Sequence, residues 1–265
     1  MPLASTRQQA LQLLLIPSPH DKASAVRHAF AQPLPLSDEE CALVMAEPGG
    51  IPGRTERPVL VHPSQLKTRA VGTLAGRAGL IHALAHIEAN AIDLALDVVW
   101  RFCAMPPVFY QDWLKVACEE ALHFELLCSH LHTLSYAYGD FPAHSGLWDM
   151  VEKTKGDVLA RLALVPRTLE ARGLDASPAV KNRLISVGDR ASADILDIIL
   201  RDEIGHVAIG NRWYRHLCLA RALDPVLTYA EQAQRYGAPV LKGPFNWAAR
   251  RAAGFDETEL ALLGA

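Results

Sequence analysis

Residues 81–107 read IHALAHIEANAIDLALDVVWRFCAMPP. Ile81, Leu84, Glu88, Ile92, Ala95 and Val99 recur at intervals of three and four, the repeat of one face of an α-helix. Pro106-Pro107 end the pattern, because proline lacks the N–H that an interior helical turn needs. The helix is expected to run from about Lys67 to Cys103. Glu88 sits on the apolar stripe between Leu84 and Ile92, where a lone carboxylate is costly to bury unless it is paired or neutralised.

Working outward, a second helical pattern runs from about Val108 to Tyr138, with Trp113, Val116, Glu120, Phe124, Leu127, Leu131 and Leu134 on one stripe. The loop GDFPAHSG (139–146) follows. A third helix is expected from about Leu147 to Arg172, closed by Gly173. A fourth starts at Ser177-Pro178, an N-cap followed by proline in the first turn, and runs to about Cys218. Four long helices with few strand signals predict an all-α chain, built as an up-and-down four-helix bundle over 67–220. Residues 1–66 form an N-terminal extension with short helices near 4–15 and 20–31, a brief helix capped by Ser37 in PLPLSDEE, and an irregular Pro/Gly-rich stretch, PGGIPGRTERPVLVHP (48–63). Residues 221–265 hold two further helices, near 225–236 and 244–264.

The chain has 265 residues, half of them hydrophobic, and a formal net charge of −3. That excludes disorder and leaves no basic footprint for general nucleic-acid binding. The five cysteines form no CxxC, so neither a disulfide framework nor a cysteine zinc site is expected. Gln12 and Pro17 break the short N-terminal apolar run, which therefore reads as an amphipathic helix rather than a secretory signal. No run approaches the ~20 apolar residues of a membrane span. A cytoplasmic protein with no membrane partner is expected.

The chemistry lies in a motif that occurs twice. Glu120/His123 in EEALHF and Glu203/His206 in DEIGHV are both Glu-x-x-His on helical patterns. At that spacing both side chains leave one helix face and can hold one ion. A single copy is near what composition gives by chance. The context makes the pair informative: Glu88 precedes the first motif on the helix before it, and Glu170 precedes the second in the same way. Glu, Glu-x-x-His, Glu, Glu-x-x-His, each on its own helix, is the ligand order of dinuclear carboxylate bundles. Oxygen and nitrogen donors without thiolate suit two iron or manganese ions per chain.

Several assignments stay open at this level. Pro166 predicts a kink or restart beside Glu170, and Glu152 on the same helix is the fallback ligand. Glu119 and Asp202, each preceding a motif Glu, are expected to orient the opposite motif histidine, since metal-bound imidazole usually donates its second N–H to a carboxylate. The alternative is two solvated helix acids. His82 and His86 read as polar flank residues, and Tyr136 and Tyr138 as packing residues. His144 either borders the site entrance or is an ordinary loop histidine.

The runs HIEANAIDLALDVVWRF, EEALHFELL, YGDFPAHSGLWD, VPRTLEARGLDA and DEIGHVAIGNRWY resemble a bacterial ferritin-like family known as domain of unknown function 455. The likeness covers roughly residues 10–260. It implies a ferritin-like four-helix core with a dinuclear metal site. The ligand pattern is also similar, in part, to tRNA hydroxylases acting on a modified adenosine and to multicomponent monooxygenases. The expected function is an oxygen-dependent di-iron oxidoreductase, a hydroxylase of a small molecule or modified nucleoside that needs an external electron donor, since no flavin or nicotinamide fingerprint is present. The alternative is a ferroxidase-type iron-handling protein without organic substrate. A homodimer is compatible with either.

Overall fold

In the computed structural model, residues 5–31, 36–67 and 69–264 are described. Residue 4, the expected start of the first helix, and residues 33–35 of PLPLSDEE lie outside them. The protein is all-α, and the described residues contain no β-strand beyond an isolated bridge between Leu60 and Ala143. No helix among them is long and apolar enough to cross a membrane. The chain divides into two compact units, residues 1–148 and 149–265.

In the first unit, α1 (Thr6–Leu14), α2 (Pro19–Ala29) and α3 (Asp38–Ala42) begin at Ser5, Ser18 and Ser37, whose side chains accept from backbone N–H groups of the first turn. Residues 48–62 are irregular, as the prolines and glycines require. The long helices α4 (Leu74–Arg101) and α5 (Pro107–Thr133) follow, joined by five residues and packed against each other. Both are shorter than the sequence pattern suggests, because Thr73 caps α4 and the chain turns out of α5 at Ser135, where φ is +61°. Arg7, fully buried, closes the far end of α4. Its Nε donates to Val99 O at 3.0 Å and its Nη2 to Trp100 O at 2.7 Å. Those carbonyls fall in the last turn of α4, where a helix runs out of its own donors.

The sequence predicts one helix from Leu147 to Arg172; the structure has several. After α6 (Gly146–Lys153) the helix breaks, and α7 (Val158–Leu164) restarts from Asp157, whose carboxylate accepts from Leu159 N and Ala160 N. Buried Arg161 ties the break together, donating to Thr154 Oγ1 at 2.9 Å and Val151 O at 2.8 Å. A π-helical turn over Val165–Glu170 continues into α8 (Ala171–Ser186). Gly173 and Ser177-Pro178, read as a stop and a start, both lie inside α8. Pro178 cannot donate to Leu174 O, and that carbonyl instead accepts from Asn246 Nδ2 at 3.2 Å. Ser177 Oγ bonds back to Gly173 O at 2.7 Å. The turn into α9 (Arg190–Ala220) falls at Gly188, with φ +84°.

The second unit ends in α10 (Pro225–Tyr236), α11 (Trp247–Ala252) and α12 (Glu257–Gly264). The last two replace the single helix expected over 244–264, because Gly254 turns the chain at φ +86° and Asp256 caps α12 through Glu259 N. Ala171, Leu174, Val207, Ala249, Phe255 and Leu260 form a buried apolar core joining α8, α9, α11 and α12.

Candidate metal centre

Three of the six expected ligands meet inside the first unit. α4 carries Glu88, and α5 carries Glu120 and His123 one helical turn apart. His123 Nδ1 lies 3.3 Å from Glu88 Oε2 and 3.2 Å from Glu120 Oε2. One ligand atom from each residue falls within 4.8 Å of those of the others. Glu120 and His123 are fully buried and Glu88 is 4% exposed. Their surroundings are apolar: Ile81, Ala85, Ile92, Ala117, Ala121 and Phe124 are all fully buried.

The electrostatics follow from that burial. Desolvation pushes the Glu88 carboxyl well above the ordinary carboxylate range, and the charge of Glu120 raises it further, against the opposing pull of His123. Burial alone would lower His123. The hydrogen bonds and charges of Glu120 and Glu88 outweigh it and push His123 up to about 11. Burial thus disfavours the Glu88 carboxylate, and His123 faces both acids as the favourable counter-charge. A divalent cation supplies the same compensation without protons, and two oxygens and one nitrogen are donors that iron or manganese accepts. Donors this close can approach one ion at ~2.0–2.2 Å with small side-chain shifts. The residues present therefore fit a metal.

The second unit carries the other three expected ligands. Glu203 and His206 lie on one face of α9, with Glu203 Oε2 3.9 Å from His206 Nδ1; His206 is fully buried and the Glu203 side chain is 11% exposed. Glu170 closes the π turn, and its Oε2 is sealed from solvent. The predicted kink at Pro166 is this π turn, in which the N–H of Ala171 reaches Pro166 O instead of the carbonyl four residues back. π turns inside helices often mark functional sites. Glu152 is not held this way: it is 40% exposed and paired with Lys155 at 3.1 Å, before the helix break.

What fixes the π turn leaves no local mark in the sequence. Arg167 Nε donates to Asn211 Oδ1 at 2.5 Å, its guanidinium lies 4.1 Å from the centre of the Tyr214 ring, and Nη2 pairs with Glu259. Thr168 Oγ1 bonds Ala163 O at 2.9 Å, and its hydroxyl lies 2.9 Å from that of Tyr229. Asn211, Tyr214, Tyr229 and Glu259 lie far along the chain, and only Pro166 is a local signal.

Glu119 is gripped by Lys115 at 2.7 Å on its own helix, and Asp202 is held bidentately by Arg201. His82 and His86 are not flank residues. They are 1% and 7% exposed, and burial pushes both down to about 4. His82 Nε2 accepts from Gly139 N at 2.9 Å and its ring stacks on Tyr138. His86 Nδ1 lies 2.7 Å from the Tyr138 hydroxyl, and its Nε2 3.1 Å from His144 O. His144 accepts at Nδ1 from Gly146 N at 3.0 Å, so in this unit it helps lock the 137–146 loop onto α4.

The chain belongs to the family described as Protein of unknown function (DUF455), whose model matches residues 15–261. It is similar to a protein of Haemophilus influenzae described as "Uncharacterized protein", with 43% identity over 264 residues, 96% of this chain and 91% of that one. No solved structure matches.

Proposed function

We propose that this chain is a dinuclear carboxylate metalloprotein and an oxygen-dependent hydroxylase. In this reading Glu88, Glu120 and His123 are one half of a ligand set, and Glu170, Glu203 and His206 are the other, in a ferritin-like bundle. The observation that carries it is the buried Glu88–Glu120–His123 cluster, two acids and an imidazole with ligand atoms within 4.8 Å of one another. The repeat of the same motif on α9 supports two ions rather than one.

Reduction of dioxygen is the chemistry that an iron pair supplies when bound in such a site. The residues of the chain do the rest. The four carboxylates bind and neutralise the cations. His123 gives up its proton at Nδ1 to become a ligand. Phe124, Ala85 and Ala121 exclude water from the cluster. Electrons come from a separate donor.

Metal analysis tests the reading. After anaerobic reconstitution the protein is expected to hold about two equivalents of ferrous ion, and Glu120→Gln with His123→Ala at most about one. Less than about half an equivalent in the wild type overturns it. Steady oxygen uptake that needs both a reductant and an added substrate supports the hydroxylase. A single burst of oxygen consumption with no turnover supports iron handling instead.

A further inference from the structure

The geometry points to a second site: the cleft between α2, α4 and the 53–58 loop of the first unit is a binding site for a small phosphate-bearing molecule. It is an open cleft with about 40 Å³ of interior space, room for an anionic group rather than for a whole ligand. Its α4 wall is built mainly from His86, Ala89, Asn90 and Asp93. At ~100° of rotation per residue these lie on the flank of α4 turned away from Glu88, so the cleft is separate from the metal cluster.

Three cations reach this cleft: Lys22, Arg54 and Arg57. A single carboxylate, Asp93, answers them, and the buried Lys22 ammonium already pairs with it. Lys22 donates a second hydrogen bond to Gly53 O at 3.4 Å, which leaves one of its three donors. Arg54 makes only a long contact, from Nη2 to Asn90 Oδ1 at 3.5 Å, and stays exposed. Arg57 is also exposed, and its guanidinium has no hydrogen-bond partner among the described residues. Exposed arginines are ordinary one at a time. Two of them, with most donors uncommitted, over a cleft with a surplus of two positive charges, match a dianion.

The loop backbone is anchored at one end of the cleft. Gly53 packs backbone to backbone on the α1–α2 turn, donating to Leu14 O at 2.9 Å, and a Cβ there would lie 2.1 Å from Leu15 O. Pro17, Pro19, Pro58 and Tyr138 also line it. A cationic rim of two exposed arginines above buried Lys22 suits the phosphate group of a phosphomonoester.

The test is titration of the full-length protein, at low ionic strength, with inorganic phosphate and with adenosine 5′-monophosphate. Saturable binding of at least one probe with a Kd of about 1 mM or tighter is expected. Tighter binding of the nucleotide identifies a phosphomonoester as the ligand; equal binding identifies the free anion. The Arg54→Gln/Arg57→Gln variant is expected to bind about 10- to 100-fold more weakly, with an unchanged unfolding midpoint. Arg183→Gln, which removes an exposed charge in the other unit, is expected to bind as wild type. No saturable binding of either probe overturns the site, and so does an equal loss in Arg183→Gln. The outcome does not depend on metal loading, so it stands or falls separately from the hydroxylase reading.

Discussion

Gly210→Ala sets two known effects against each other in the second unit. Gly210 lies on α9 on the same stripe as Glu203 and His206, seven and four residues after them. The Pro166 ring of the π turn seats against it. A Cβ built on Gly210 would lie 2.5 Å from Pro166 Cβ and 2.7 Å from its Cγ. Ordinary carbon contacts need ~3.5–4.0 Å, so the π turn and α9 must part by about 1 Å. Neither atom is the end of a flexible side chain; both belong to a ring fused to the backbone. Overpacking of this kind costs about 1–3 kcal/mol, and a rigid partner places it at the upper end. Helix propensity works the other way, since alanine inside a helix is worth about 1 kcal/mol over glycine. The clash wins, by about 2 kcal/mol, which lowers the melting temperature by about 4–8 °C. Urea unfolding and calorimetry measure it. A double-mutant cycle with Pro166→Gly, which removes both clashing atoms, should return a coupling of at least about 1 kcal/mol. A Gly210→Ala protein more stable than wild type, or strict additivity with Pro166→Gly, would refute the reasoning. It would mean that propensity alone governs the site and that Pro166 does not bear on α9.

Two further predictions follow from buried groups. Arg7→Met strips donors from five carbonyls, those of Glu40, Cys41, Leu43, Val99 and Trp100, and should destabilise by about 3–5 kcal/mol; a loss below about 1 kcal/mol in denaturant unfolding would show that water replaces it easily. His82 has a folded pKa pushed down to about 4 by burial. The unfolded chain therefore binds the proton first, and the stability it contributes is present above about pH 6.5 and is lost as pH falls towards about 4. The slope approaches about 1.4 kcal/mol per pH unit for this one group. Stability profiles of wild type and His82→Gln should converge as pH drops through that window, and parallel profiles would count against a buried neutral His82.

The all-α class, the serine caps of α1 to α3 and the two Glu-x-x-His pairs could be read directly, because each depends on residues within one or two turns. The stripe through Glu88 and Glu120 also anticipated that α4 and α5 would bury them together, since an amphipathic helix has one face to bury. The segment from Leu147 to Cys218 could not be read in this way. Pro178 breaks a helix in isolation, but here Asn246, on a distant segment, takes the carbonyl that it frees. The π turn exists because Arg167 finds Asn211 and Glu259 and because Gly210 leaves room for Pro166. His82 and His86 looked like solvated flank until the 137–146 loop folded over them with its own donors and acceptors. The helical class and the ligand candidates are encoded at helical spacing, within a turn or two of chain. The tertiary structure decided where helices bend, which polar groups are buried and which acid in the Leu147–Arg172 segment is sealed from water. Those outcomes depend on whether a partner arrives from elsewhere in the chain to satisfy a hydrogen bond, and no local pattern records that partner.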